Sequence, residues 1–377
     1  MRTKFLSVPN GGWNASQALD MMAPNDAVRM INLIPRKTHI EPRKGTQELT
    51  TSALPDIVET LAKHRAGDGT QTLLAGANDN IYTVNTTTGA TASVGSGFKD
   101  NRWQTVNFND LLLFVNGADA PQQYDGTTLG TYTATITGPT ATDLTGVVVF
   151  KGRCIYWENN KASFWYAGAG SYGGACTEFP LDLVTKKGGY VVECCTWSRD
   201  SGEGLDDLFV VLMSTGETLV YQGSDPGSAF DWQLIGSFEL GEPLGVRGSI
   251  KYASDRIVLT RDGFVNLSTA LQVGRVTDEG NISSKIVDAA KKAAERWGDN
   301  YGWEITYFDR ESLLIVNIPR YVSTSTPTNS YSEQYCMNTN TGAWTRFTGW
   351  DAITFQEVNG KLYMGCYDGH VREVFTG

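Results

Sequence analysis

VNFNDLLLF, residues Val106–Phe114, writes a strand, a two-residue turn and a second strand in nine letters. Asn and Asp tolerate positive φ, so the pair Asn109–Asp110 between two apolar and aromatic runs marks a tight hairpin. The same skeleton returns in VVFKGRCIY (Val148–Tyr156, turn Lys151–Gly152), IKYASDRIVL (Ile250–Leu259, turn Ser254–Asp255) and ITFQEVNGKLYM (Ile353–Met364, turn Asn359–Gly360). From residue 70 onward seven β-rich units fill roughly 300 residues, close to the ~40–50 residues of one propeller blade.

A second repeat supports this. VNTTTGAT (Val84–Thr91) and MNTNTGAW (Met337–Trp344) place Asn and Thr side chains where they can bond back to the backbone ahead of Gly89 and Gly342. The pair predicts one hairpin position used in two blades. DGT at Asp125, DGF at Asp262 and DGH at Asp368 supply further reverse turns. The expected fold is mainly β: a β-propeller of six or seven blades over residues 71–377.

Three segments depart from the pattern. Residues 1–70 carry five prolines, at 9, 24, 35, 42 and 55, and a basic cluster of Arg36, Lys37, Arg43 and Lys44. They read as an extended N-terminal arm, with a short helix from about Pro55 to Ala66 that has Ile57, Leu61 and Ala62 on one side. Ser283–Asn300 has a Ser cap, a stripe of Ile286, Ala290, Ala293 and Trp297, and Gly298 at its end, and is expected as a helical insertion near 283–298. That helix either packs on its own propeller or offers a subunit contact. Tyr321–Glu333 is polar and reads as a loop.

Composition limits the function classes. A net charge of −10 leaves no basic face to hold phosphate backbones. The six cysteines include no CxxC and no zinc-ligand spacing with histidine, and read as buried free thiols of a reducing compartment. After Arg2 and Lys4 the apolar stretch is only Phe5 and Leu6, and the longest apolar runs, Leu111–Val115 and Val147–Phe150, fall far short of the ~20 residues of a membrane helix. No membrane insertion is expected.

Catalytic signatures are weak or missing. SRDSG, residues 198–202, opens like the SxDxGxxW box of sialidases, but Leu205 stands where Trp belongs. The three histidines, His39, His64 and His370, form no HExxH, and there is neither a GxSxG elbow nor a GxxxxGK[ST] loop. Asp206–Asp207 and Asn78–Asn80 read as turns, and Cys194–Cys195 as strand neighbours facing opposite sides. The chain is therefore expected to be no enzyme, with no catalytic residue, cofactor or metal. Two rivals stand beside that reading: a glycan-binding propeller using Trp157, Trp165 and Tyr166, and a glycan-cleaving propeller.

The arm, NGGWNASQALDMMAPNDAVRMINLIPRKTHIEPRKG (Asn10–Gly45), carries the segment Ala27-x-x-Met30-Ile31-Asn32-Leu33-Ile34-Pro35 and then Arg43-Lys44-Gly45. It resembles the N-terminal signature of tail nozzle proteins of short-tailed bacteriophages (podoviruses), also called tail hub or packaged-DNA stabilisation proteins. The resemblance extends to the repeat texture of the remainder. It implies a structural virion protein, a homohexameric ring in the viral tail below portal and adaptor, that retains packaged DNA and forms the channel for its ejection. The implied partners are further copies of the chain, the head-to-tail adaptor protein, tail fibre or needle proteins, and DNA in transient, non-specific passage. Assembly would take place in the bacterial host cytoplasm. Six copies at −10 each carry about −60, and an acidic wall repels phosphates so that DNA slides. Arg36, Lys37, Arg43, Lys44 and Trp297 are the expected assembly contacts. Removing residues 1–45 is expected to leave the propeller folded and abolish attachment to heads.

Overall fold

The computed structural model describes residues 7–200, 205–269, 281–320 and 331–377. Seven small antiparallel sheets follow one another along the chain, and the first strand of each packs against the next sheet around the ring. Blade 1 comprises Thr60–Arg65, Gln71–Ala77, Asn80–Val84 and Thr91–Ser96. Blade 2 comprises Gln104–Phe108, Leu111–Val115, Gln122–Tyr124 and Leu129–Thr131. Blade 3 has Leu144–Phe150, Arg153–Glu158, Ser163–Tyr166 and Thr177–Pro180. Blade 4 has Val191–Asp200, Leu205–Met213, Glu217–Gln222 and Gln233–Glu239. Blade 5 has, among the described residues, the strands Ser249–Tyr252, Asp255–Thr260 and Gly263–Asn266. Blade 6 is Glu304–Phe308, Leu313–Pro319, Ser332–Asn338 and Ala343–Thr348. Blade 7 is Ala352–Val358, Lys361–Cys366 and Val371–Thr376, completed on its outer edge by Gly45–Glu48 from the N-terminal region. The ring is a seven-bladed β-propeller, closed where Gly45–Glu48 pairs with Val371–Thr376 in one sheet.

Stacking blades face to face explains the apolar runs. Each central strand is covered on both sides, so consecutive residues must both be hydrophobic. Leu314 and Val316 pack towards blade 5 while Leu313 and Ile315 pack towards blade 7. Cys194 and Cys195 divide in the same way, between the blade 3–4 and blade 4–5 clusters. The described residues form seven hydrophobic clusters, one at each interface between neighbouring blades.

The hairpin reading holds at its turns. Asn109 and Asp110 both take positive φ, 47° and 63°, as do Lys151 and Gly152, and Asn359 and Gly360. In blade 5 the turn lies one residue earlier than expected: Tyr252 pairs with Asp255, leaving Ala253 (φ 51°) and Ser254 at the tip. The duplicated fragment is one turn in two places. Gly89 N–H donates to Asn85 O and Gly342 N–H to Asn338 O, both at 2.8 Å, between the third and outermost strands of blades 1 and 6.

Two expectations about the N-terminal region are corrected. The helix over Pro55–Ala66 is instead the strand Thr60–Arg65, innermost in blade 1. Leu61 and Ala62, placed on one helical face by their spacing, go to opposite sides of the sheet, Leu61 to the blade 7–1 cluster and Ala62 to the blade 1–2 cluster. Nor is the arm separate from the core. Gly12–Trp13 runs parallel to Asp26–Ala27, and Leu33–Pro35 pairs with Ile40–Pro42 against the outer strand of blade 6. Trp13, Met30 and Ile34 are buried there. The propeller thus draws on residues well before 71, and loss of residues 1–45 would uncover part of its core.

The helical insertion, α1, spans Val287–Trp297. Ile286, Ala290, Ala293 and Ala294 are buried against Phe264 and blade 6. Ser283 is not its cap: its hydroxyl donates to Asn281 and accepts the Phe264 N–H. The arm serves instead, with Ser16 Oγ accepting the Asp288 N–H at 3.3 Å. Most of the loop expected over Tyr321–Glu333, like residues 201–204 around the SRDSG motif, lies outside the described residues.

Candidate functional site

Two regions bear on function, the rim of the disc and its axis. At the rim, three of the four basic arm residues are engaged within the chain. Arg36 bonds Glu41 through Nε at 2.6 Å and Glu311 Oε2 at 2.5 Å, and Lys44 Nζ reaches Glu311 Oε1 at 2.9 Å. Arg43 lies over the Trp350 ring with its guanidinium carbon 4.5 Å from the centroid. Its Nη2 donates to Thr348 O. Lys37 is exposed, and its carbonyl accepts from Asn10 Nδ2. Trp297 is half-buried, with the Arg320 guanidinium 5.0 Å from its ring. The basic cluster therefore fastens the arm to blade 6.

The rim also carries apolar side chains facing solvent. On the arm these are Val8, Leu19, Met21 and Val28, with Leu19 75% and Met21 73% exposed. On the outer edge of blade 4 they are Phe230, Leu234 and Ile235, with Phe230 96% exposed. Ile235 is the extra residue where the outer strand slips register, between Tyr221–Leu234 and Val220–Gly236. Such a slip bulges the edge and turns the side chain outward.

At the axis the first strands surround a cavity of ≈ 340 Å³. Arg247, just ahead of blade 5, extends into it. Its Nη1 donates to Thr354 Oγ1 at 2.8 Å and Glu304 Oε2 at 3.3 Å, and its Nη2 to Trp103 O at 2.7 Å and Thr60 Oγ1 at 3.0 Å. Glu304 also accepts the Phe355 N–H at 2.9 Å. A second pair lies between blades 4 and 5. Glu193 accepts from Ser249 Oγ at 2.5 Å, and Arg256 Nη1 lies 3.8 Å from Glu193 Oε1 while its Nε donates to Thr196 O.

Burial raises the pKa of both Glu193 and Glu304, with Arg256 and Arg247 respectively pulling it back down. Burial acts on Arg247 in the opposite direction, and the surrounding Tyr301 and Glu304 more than offset it. The Tyr301 phenol is pushed up to about 12 by burial. Each carboxylate thus faces its own arginine across a seam between blades, and burial outweighs that arginine, so both glutamates sit above the usual carboxylate pKa.

Sequence reasoning missed this cluster because its members come from four strands or loops spread along the chain. A local signal existed in VVECCTW, GVRGSI and GWEITYF, where a single charge interrupts the uncharged run that opens a blade. Of the aromatics considered for glycans, Trp157 lines the axial cavity while its Nε1 donates to Val192 O, and Trp165 Nε1 is held by Glu158. His64 is buried and bonded to Asp110 O at 2.7 Å. All six cysteines are free and buried. Among the described residues, no group of His, Cys, Asp and Glu could hold a metal ion, and no helix is long and apolar enough to cross a membrane.

No protein-family model and no curated protein sequence matches the chain. Among solved structures it is similar to the WD40 β-propeller domain of Doa1, with a TM-score of 0.53 at 13% identity, covering 88% of this chain and 96% of that one. It is likewise similar to BBS1N in complex with ARL6DN (TM-score 0.53, 10% identity, 88% and 97% covered) and to YCF48 bound to D1 peptide (0.50, 9%, 86% and 94%). At such identities the likeness is one of fold: the chain is a β-propeller.

Proposed function

We propose that the chain is a tail nozzle protein of a short-tailed bacteriophage: a structural, non-enzymatic virion subunit that forms a ring below portal and adaptor, retains packaged DNA and passes it on ejection. The observation that carries this reading is the exposure of large apolar side chains in two separate regions, Leu19 and Met21 on the arm and Phe230, Leu234 and Ile235 at the outer edge of blade 4. A closed ring of identical subunits joins two different surfaces of each copy, and large apolar side chains left in water mark such surfaces. The arm that carries the family resemblance is also one of these regions.

The axis of the single propeller, crossed by Arg247 and Glu304, is far too narrow for a duplex whose major groove alone is ~12 Å wide. In this reading DNA runs between subunits, along a wall made acidic by the net charge of −10 per copy. Each axial carboxylate faces an arginine across a seam between blades, Glu304 with Arg247 and Glu193 with Arg256, which supports a scaffold role for the axis.

Native mass spectrometry and negative-stain imaging test the proposal, on the purified protein and after incubation with tail-less heads. A ring with a central opening is expected, reduced to folded monomers by Phe230→Asp or by Leu19→Asp with Met21→Asp. Wild-type protein that stays monomeric both alone and with heads refutes it.

A further inference from the structure

We propose that the axial cavity is a binding site for a small neutral saccharide, a function beyond the scaffold role above. The cavity, ≈ 340 Å³, is at the small end of the ~300–1,000 Å³ typical of ligand pockets, which suits one or two sugar rings. Its charges cancel: Arg247 with Glu304 and Arg256 with Glu193 present two cations and two anions. A strongly charged ligand would meet a like charge beside every opposite one.

A vicinal diol fits this pattern, since each hydroxyl can donate to a carboxylate and accept from a guanidinium or amide. Not all of the cavity's polar capacity is used internally. Gln104 Nε2 is buried and has no hydrogen-bond partner among the described residues, although Gln104 lines the cavity. A buried amide donor left unmade is costly, and a ligand hydroxyl would satisfy it. Val147, Val246 and Phe355 supply apolar wall for the C–H face of a sugar. Aromatic or aliphatic surface beside a few convergent polar groups is the usual composition of a small-molecule site.

The test uses the full chain in calorimetric and ligand-observed NMR titrations with glucose, N-acetylglucosamine and maltose, against N-acetylneuraminate and putrescine as charged probes. Saturable one-to-one binding of at least one neutral sugar is expected, with the charged probes weaker. Gln104→Leu, which leaves both ion pairs in place, is expected to weaken that binding about tenfold at unchanged thermal stability. Glu193→Gln, which removes one of the carboxylates that would accept a sugar hydroxyl, is expected to weaken the same binding. The proposal is overturned if no neutral sugar saturates by ~10 mM, if a charged probe binds more tightly, or if folded Gln104→Leu binds as wild type does.

Discussion

Replacing Trp13 by Ala decides whether the arm is a tether or part of the core. The Trp13 ring is 7% exposed and sits edge-on to Tyr335, centroids 5.0 Å apart, within the cluster that also holds Met30, Trp344 and the α1 alanines. A buried tryptophan removes ~150–250 Å² from water, worth roughly 4–6 kcal/mol at ~25 cal/mol/Å². Measured Trp→Ala losses in cores run about 3–5 kcal/mol, and that range is expected here. With a urea dependence of ~3–4 kcal/mol/M for a chain of this size, the unfolding midpoint should fall by about 1 M. Leu19→Ala, on the same arm but 75% exposed, should change the stability by no more than ~0.5 kcal/mol. A loss below ~1 kcal/mol for Trp13→Ala would mean that the arm contributes little to the folded propeller, and the assignment of Trp13 to its core would be wrong.

The basic cluster gives a second contrast. Arg43→Ala should cost about 1–3 kcal/mol, because it removes the stacking over Trp350 and bonds to Asn32 and Thr348, whereas Lys37→Ala should be neutral within ~0.5 kcal/mol in the same denaturation assay. Glu217 gives a pH-dependent one. Burial alone would raise its pKa, but Ser237 Oγ and the Lys187 and Lys186 N–H groups bond its carboxylate and hold it below the usual value. With the folded pKa below the unfolded ~4.3, its stabilisation is present above that pH and is lost as pH falls through the folded value. The stability gap between wild type and Glu217→Gln should therefore shrink on acidification below pH ~4. A gap that widens in acid would contradict the assigned bonds.

How much of this was legible in sequence depended on whether the signal was local. The type of fold was, because Asn109–Asp110, Lys151–Gly152 and the two NTxTGA turns each sit within one hairpin and need only their neighbours to adopt positive φ. The strand Thr60–Arg65 was misread because a strand covered on both faces has no polar alternation, and its short apolar run also satisfies helical spacing. The arm was misread because its anchors are long-range: Thr345 Oγ1 donates to Leu33 O at 2.6 Å and Asn338 Nδ2 to Pro35 O at 2.9 Å, each some 300 residues apart in sequence. The pairing of the axial charges was illegible for the same reason: a charge inside the run that opens a blade marks each site, but nothing within a single blade announces where its partner in another blade will stand.

That non-local dependence makes Arg247 the most informative residue at the axis. Its side chain ties Thr60 of blade 1, the Trp103 carbonyl at the entry to blade 2, Glu304 of blade 6 and Thr354 of blade 7. Arg247→Met alone strands a buried carboxylate and several acceptors, a situation that typically costs about 3–5 kcal/mol. If the ion pair itself were the whole effect, Arg247→Met with Glu304→Leu should return to near wild-type stability, because a well-packed apolar pair replaces a buried ionic one at little or no cost. The structure argues for partial recovery only. The double variant still leaves the Trp103 carbonyl without its 2.7 Å donor and the Phe355 N–H without its acceptor, each worth roughly 1–3 kcal/mol when buried and unmade. Full recovery in a double-mutant cycle would reduce Arg247 to one half of an ion pair, whereas a residual deficit of that size assigns it to holding four blades in register around the axis.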